Sequence, residues 1–307
     1  MTSVPNPAEV AVGRSLISRA EFVADVRRAA VTGAGYAAGK IGISEKRWMY
    51  YPILLERESD PRKIKAYEAS LCFLALKQAG VFPAKPAFYR EFGPFYVEQV
   101  RNLDCIGVFN DSPLIEPGII RSYRLENKLT YFLNQEPDRS SPTNPELCYL
   151  SAFAGKKVLL LSPFAGFLQE RANRSVFEAI WSKTGKEWFY PASIEPIEFP
   201  YGFAVESQRH YRTALDLLEA IKERIESADF DVALIGAGGL GIPLASFVKN
   251  LGKIGLSLGG HLQVLFGVLG DRWRNSAEWQ SRYINSAWTD MPEHYRPGAC
   301  QTHENYW

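Results

Sequence analysis

An α/β fold built on a parallel sheet is what this sequence predicts, and three observations lead to it. In the second half of the chain, apolar runs of strand length at 158–161, 231–235 and 253–258 alternate with amphipathic runs of helix length. At one junction the string Gly236-Ala237-Gly238-Gly239-Leu240-Gly241 follows an apolar strand and opens a helix. The composition, 46% hydrophobic and 22% charged over 307 residues, is ordinary for a globular chain with a large core. Strands alternating with helices in this way imply right-handed βαβ crossovers, and so a Rossmann-like sheet with helices on both faces.

Each element has its own signal. Residues 1–18 read as a flexible arm. Ser18 and Glu21 make a capping-box start, and Phe22, Val23, Val26 and Ala29 share one helical face up to the stop at Gly33-Ala34-Gly35. The small-residue run 36–43 reads as a buried strand leading to a loop at Ser44. Helical patterns follow from Glu45 through Trp48, Met49 and Leu54, from Asp60-Pro61 to Gln78, and from Pro86 to about Asn102. Residues 105–109 form a short strand, and the polar, proline-containing stretch to Glu146 carries no assignable pattern. Beyond it come a strand at 158–161, one amphipathic helix over 165–183 and a further strand at 188–190. A helix over 211–227 turns Ala214, Leu217, Leu218 and Ile221 inward. A strand at 231–235, a helix over 240–251 and a strand at 253–258 complete the pattern. The reading is one domain over 19–307, largely helical to 150 and regularly βα from 151 onward.

Charge and cysteine usage exclude several function classes. Lys plus Arg total 35 against 34 for Asp plus Glu, so no basic field gathers nucleic acid. Cys72, Cys105, Cys148 and Cys300 are scattered, without zinc-ligand spacing, which fits a reducing, cytoplasmic setting. The first residues lack the apolar core of a signal peptide. The apolar stretch 254–269 is broken by glycines, His261 and Gln263 and is shorter than a spanning helix requires, leaving peripheral membrane association as the only membrane role.

The motifs that carry chemistry cluster at strand ends. Gly236, Gly238, Gly239 and Gly241 permit a tight turn and close approach of a phosphate, with the helix N-terminus supplying N–H groups; a turn that binds nothing is the structural alternative. The next strand ends in Ser257-Leu258-Gly259-Gly260-His261, without the acidic residue that holds a dinucleotide ribose, which disfavours a dehydrogenase. Gly260 and His261 sit where ligands bind in open α/β sheets, although His261 would equally serve as a neutral loop histidine. Lys40-Ile41-Gly42-Ile43-Ser44-Glu45 places a carboxylate over a strand end, for proton transfer or cation ligation, or simply to complement a helix dipole. Ser162 closes another strand, either as a ligand contact or as a helix start. Glu206 and His210 share a helix face, and Glu206 is a candidate base or half of a surface pair. The tail aromatics Trp273, Trp279, Trp288, Tyr295, Tyr306 and Trp307 read as docking back on the domain, or as stacking on a sugar or base.

Together these segments resemble bacterial glycosyltransferases of the GT-D type and their relatives from surface-polysaccharide gene clusters. The string from Lys40 to Glu45 is similar to that family's early Arg-Phe-Gly-Asp-Gly-Glu stretch and keeps the glycine and the final glutamate. Residues 234–238 and 256–261 are similar, in the same order, to its Ile-Gly-x-Gly turn and to a strand ending in Asp-Ile-Gly-His. The sequence departs from the family where Ile43 replaces the metal-site aspartate and Ser257 stands in the place of a later aspartate. The resemblance implies transfer of a sugar from a UDP- or GDP-sugar donor to a glycan or lipid-linked acceptor, with Mn2+ or Mg2+. It implies a diphosphate held at Gly236, Gly238, Gly239 and Gly241, with Glu45 binding the metal or orienting the sugar. Lys40, Ser44, Ser162, Gly260 and His261 would flank the donor, and Glu206 would be a base. A non-catalytic nucleotide-binding or assembly protein, or an NAD(P)-dependent oxidoreductase, is the alternative on the same fold.

Overall fold

The first helix shows how directly local chemistry sets this structure. Ser18 accepts from the Glu21 N–H, the Glu21 carboxylate accepts from the Ser18 N–H at 2.7 Å, and helix α1 (Arg19–Thr32) ends at Gly33, which has φ of 69°. The structure, a computed structural model, describes residues 13–109, 115–137 and 148–296. Of the N-terminal arm, residues 13–18 run beside the sheet edge, with the Ile17 N–H donating to Leu129 O at 2.8 Å. Residues 1–12, Cys300, Tyr306 and Trp307 lie outside the described residues.

After α1 come β1 (Tyr36–Lys40), α2 (Ile43–Arg57), α3 (Pro61–Lys77), α4 (Pro86–Arg101), β2 (Cys105–Val108), α5 (Ile115–Ser122) and β3 (Lys128–Tyr131). The second half contributes β4 (Lys157–Leu161), α6 (Ala165–Arg171), α7 (Arg174–Ile180), β5 (Ser193–Ile197), α8 (Val205–His210), α9 (Ala214–Glu226) and β6 (Val232–Ile235). It ends with α10 (Gly241–Asn250), β7 (Ile254–Ser257), α11 (His261–Leu265), β8 (Val268–Leu269), α12 (Asp271–Arg274), α13 (Ala277–Arg282) and β9 (Thr289–Asp290). Strands β1 to β7 form one seven-stranded sheet in the order β3-β2-β1-β7-β6-β4-β5. Every pairing in it is parallel. The α/β architecture predicted from the alternation is therefore present, and both halves of the chain contribute to a single sheet.

The central strands are buried over nearly their whole length because both faces are covered, with Lys40 at the end of β1 and Lys157 at the start of β4 as the exceptions. Helices α2, α3, α4, α5, α9 and α10 pack on one face, around Trp48, Tyr96, Leu218 and Leu244. Helices α1, α6, α7, α11, α12 and α13 pack on the other, around Phe22, Phe177, Trp181 and Trp273. These faces determine where a ligand fits. The chain leaves β1 and β6 toward the first face, through α2 and α10, but leaves β4 and β7 toward the second, through α6 and α11. Neighbouring strands whose following segments diverge leave a crevice at their carboxyl ends. Here that happens between β1 and β7, between β7 and β6 and again between β6 and β4.

Three expectations change. The helix read over 165–183 is two helices, because the Asn173 side chain accepts from the Val176 N–H and starts a new one after α6 has ended. The strand read at 188–190 is not formed: Trp188 and Phe189 pack against Phe177, Tyr190 takes φ of 48°, and the strand lies at Ser193–Ile197. The stretch left unassigned before Glu146 contains α5 and β3. Trp273, Trp279 and Trp288 are buried in the second core, and Tyr295 packs on Phe167, so these tail aromatics dock on the domain. Among the described residues no helix is long and apolar enough to cross a membrane.

Candidate functional site

Two adjoining cavities occupy the carboxyl ends of the strands. The larger, of about 400 Å³, lies over β1 and β7 and is lined by Lys40, Ser44, Glu45, Lys77, His261 and Arg272, among others. The smaller, of about 90 Å³, lies over β4, β5 and β6 and is lined mainly by Phe164, Phe199, Tyr201, Phe203 and Leu240. Both are bounded by Gln78, Ala79, Gly238, Gly259 and Gly260, which form the ridge between them. Glu45, the glycine turn after β6 and the end of β7 thus open into one cleft.

Beneath the polar cavity lies a buried ionic cluster. Glu136 receives Lys40 Nζ at 3.0 Å and His261 Nε2 at 2.9 Å on the same carboxylate oxygen, Oε1. Burial alone would raise the pKa of Glu136, but the Lys40 and His261 charges and hydrogen bonds outweigh it and hold the carboxyl well below its usual range. Glu136 stays ionised, and it fixes the direction of a lysine from the end of β1 and a histidine from the start of α11. His261 also meets Trp273 edge-on at 5.6 Å, so its ring is held from two sides.

Glu45 has the opposite electrostatics. It sits in the first turn of α2 with its carboxylate folded back over Gly42, close enough that a Cβ there would lie 2.5 Å from Oε2. The residue is half-buried, but the carboxylate is enclosed, and burial pushes its pKa up to about 7 against the smaller opposing effects of its own amide and of Lys46. Near neutral pH it is therefore divided between acid and carboxylate, which suits a group that exchanges a proton.

The glycine turn is used differently from the expectation. The Gly239 N–H donates to Ala79 O at 2.8 Å, the Leu240 N–H to Ala237 O at 3.0 Å, and the Gly241 N–H to Gly238 O. A Cβ at Gly239 would come within 2.5 Å of Val81 and 2.9 Å of Trp48, and one at Gly241 would run into Ser257. Gly239 and Gly241 thus serve close packing, against the segment joining α3 to α4 and against β7, and their amides are committed. The Gly236 N–H is bound to Leu161 O at 2.8 Å, although its backbone still walls the apolar cavity. The amides of Ala237 and Gly238 have no partner among the described residues, and Gly238 is exposed on the ridge with φ of 50°.

The cleft gathers most of the other candidates. Lys40, Ser44, Glu45, Gly260 and His261 line the polar cavity, although the Ser44 hydroxyl donates to Leu74 O at 3.3 Å and so ties α2 to α3. Ser162 does not reach it: the side chain is fully buried and accepts from the Phe164 N–H at 3.4 Å, as a turn residue. Glu206 is not brought in either, because α8 carries it on an exposed face outside the lining of both cavities, with His210 equally exposed. Sequence reasoning passed over Glu136, Lys77, Gln78 and Arg272. No local signal marked Glu136, because β3 is a four-residue strand, KLTY, without a readable pattern around it. Lys77 at the end of α3 and Arg272 in α12 reach the cleft only through tertiary packing.

The donor set does not suit a hard divalent cation. Among the described residues no three His, Cys, Asp or Glu side chains converge as ligands. Glu136 is engaged by Lys40 and His261, Glu45 is largely protonated below pH 7, and Lys40, Lys77 and Arg272 add positive charge to the same walls. Mg2+ and Mn2+ need ionised oxygen ligands, whereas this lining favours an anion. The placement of Glu45 as a metal ligand is not supported by its surroundings.

No family model matches the sequence, and no curated protein matches it. Among solved structures the chain is similar to a glycosyltransferase (DUF1792) from Streptococcus sanguinis, at 12% identity and a TM-score of 0.39, over 89% of this chain and 96% of that one. A likeness this distant carries no weight for function.

Proposed function

We propose that this chain is a glycosyltransferase of the GT-D kind that uses a nucleotide-sugar donor and builds a surface glycan on a polysaccharide or lipid-linked acceptor. The observation that carries the reading is the single cleft in which Glu45, the Gly238 turn and the Gly259-Gly260 strand end meet beneath a positively charged wall. The motif resemblance concerns these same segments. A donor diphosphate lies across the ridge, where the Ala237 and Gly238 amides supply N–H groups and Lys77 and Arg272 supply charge. The sugar enters the polar cavity. Ionised Glu45 takes the proton of the acceptor hydroxyl as its oxygen bonds to the anomeric carbon. The bond from that carbon to the phosphate oxygen breaks, and its electron pair leaves with the diphosphate. Lys40, Glu136 and His261 hold the floor of the cavity rigid, so the groups that stabilise developing charge need little rearrangement. No step requires a metal.

A thermal-shift panel followed by a turnover assay tests this. UDP-glucose or GDP-mannose should raise the melting temperature while NAD does not, and donor turnover should increase with pH through about 7, the range in which Glu45 ionises. Glu45→Gln should abolish turnover and keep nucleotide binding. Binding without turnover in the wild-type protein would favour a non-catalytic nucleotide-binding protein instead.

A further inference from the structure

The smaller cavity has no role in the reaction as proposed, yet its wall is continuous with the ridge. It is apolar at its far side, where Tyr201 and Phe203 stack at 5.0 Å with 25° between their planes and Phe164 lies 6.3 Å from Tyr201. Its near side is bare backbone, at Gly80, Gly236, Gly238, Gly259 and Gly260. The buried Gln263 side chain also lines it. Two of its lining residues approach so closely that a Cβ on Gly202 would collide with the carbonyl of Gly80. Flat aromatic walls, glycine surfaces and polar backbone edges are what a planar heteroaromatic ring requires: faces to stack on, and donors and acceptors in its own plane.

Position then selects the occupant. A sugar nucleotide has a diphosphate with one substituent on each side, and the ridge has one cavity on each side. The polar cavity holds Glu45 and the cations, so the reacting sugar belongs there. We infer that the aromatic cavity bounded by Phe164, Tyr201, Phe203, Gln263 and the ridge glycines is the nucleobase pocket of a nucleoside diphosphate whose phosphates rest at Gly238. This rests on the donor reading and goes beyond it by naming the residues that recognise the base and separating them from those that hold phosphate.

Calorimetric titration of the full-length protein with UDP, GDP and inorganic pyrophosphate separates the two roles, with farnesyl diphosphate titrated beside them as a control for a lipid tail. Tyr201→Ala and Phe203→Ala should each weaken the preferred nucleoside diphosphate about tenfold, through loss of stacking, and leave pyrophosphate within about twofold. Unchanged pyrophosphate binding also shows that the variants are folded. Equal losses for the nucleoside diphosphate and pyrophosphate, or no loss for either, would overturn the assignment. So would a loss confined to farnesyl diphosphate, which would make the cavity the seat of an acceptor's lipid tail. If the wild-type protein binds pyrophosphate but gains nothing from the nucleoside, the base pocket fails and the anion site stands. If it binds none of the three, the donor reading itself fails, and the inference with it.

Discussion

Replacing Glu45 by glutamine removes an ionisable group and almost no volume, so its effect on stability isolates the electrostatics of the cleft. Burial pushes the Glu45 pKa from 4.5 up to about 7. In the unfolded chain the carboxyl ionises near its ordinary value, so between those two limits the folded state binds the extra proton. Stability must then fall as pH rises across this window. A shift of that size corresponds to about 3 kcal/mol when fully expressed, at 1.36 kcal/mol per pH unit. Glutamine carries no charge and escapes the penalty. Urea denaturation of both proteins from pH 5 to 8 measures the difference, and the titration of all other groups cancels in the comparison. Glu45→Gln should become more stable relative to wild type by about 2.5 kcal/mol between pH 5 and pH 8, and should lose turnover. A difference that stays flat with pH would refute the enclosed carboxylate, and with it the case for Glu45 as a proton acceptor at neutrality.

Other perturbations probe separate parts of the account. Glu136→Gln should cost about 3–5 kcal/mol in urea unfolding at pH 7, because Lys40 and His261 stay buried without their carboxylate. The sign of its pH dependence is opposite to that of Glu45. The depressed pKa stabilises the fold above the unfolded carboxyl value near 4.5, and that contribution drains away as pH falls below it. Lys77→Ala and Arg272→Ala should each weaken UDP binding about three- to tenfold by calorimetry, more at low salt than at high salt. Gly239→Ala should lower stability by about 1–3 kcal/mol through its clash with Val81 and Trp48. Glu206→Gln should change neither nucleotide affinity nor turnover, since its carboxylate lies outside the cleft.

What could be read in the sequence divides along physical lines. Elements whose signal is local were visible: the Ser18 capping box, the Asp60-Pro61 helix start and the apolar strands β4, β6 and β7, which are buried on both faces. Elements stabilised by their partners were not. Strand β5 contains Pro196, sits at the edge and pairs only with β4. Strand β3 is four residues long in a polar surround and gains its place from β2 on one side. The glycine string illustrates the same limit within the site. Spacing shows where backbones must approach closely, but not whether the approaching group is a phosphate or the Ala79 carbonyl, and here Gly239 meets the carbonyl. The pairing of Glu136 with Lys40 and His261 joins residues 96 and 125 positions apart, which no periodicity reports.

Hydrogen exchange at the ridge between the two cavities is the most direct test. Peptides covering 236–241 and 257–262 should exchange more slowly when UDP is added, as the Ala237 and Gly238 amides gain a phosphate partner, while a peptide covering 205–210 should not change. Protection that leaves 236–241 untouched while slowing exchange elsewhere would contradict a diphosphate at Gly238, and the transferase account along with it.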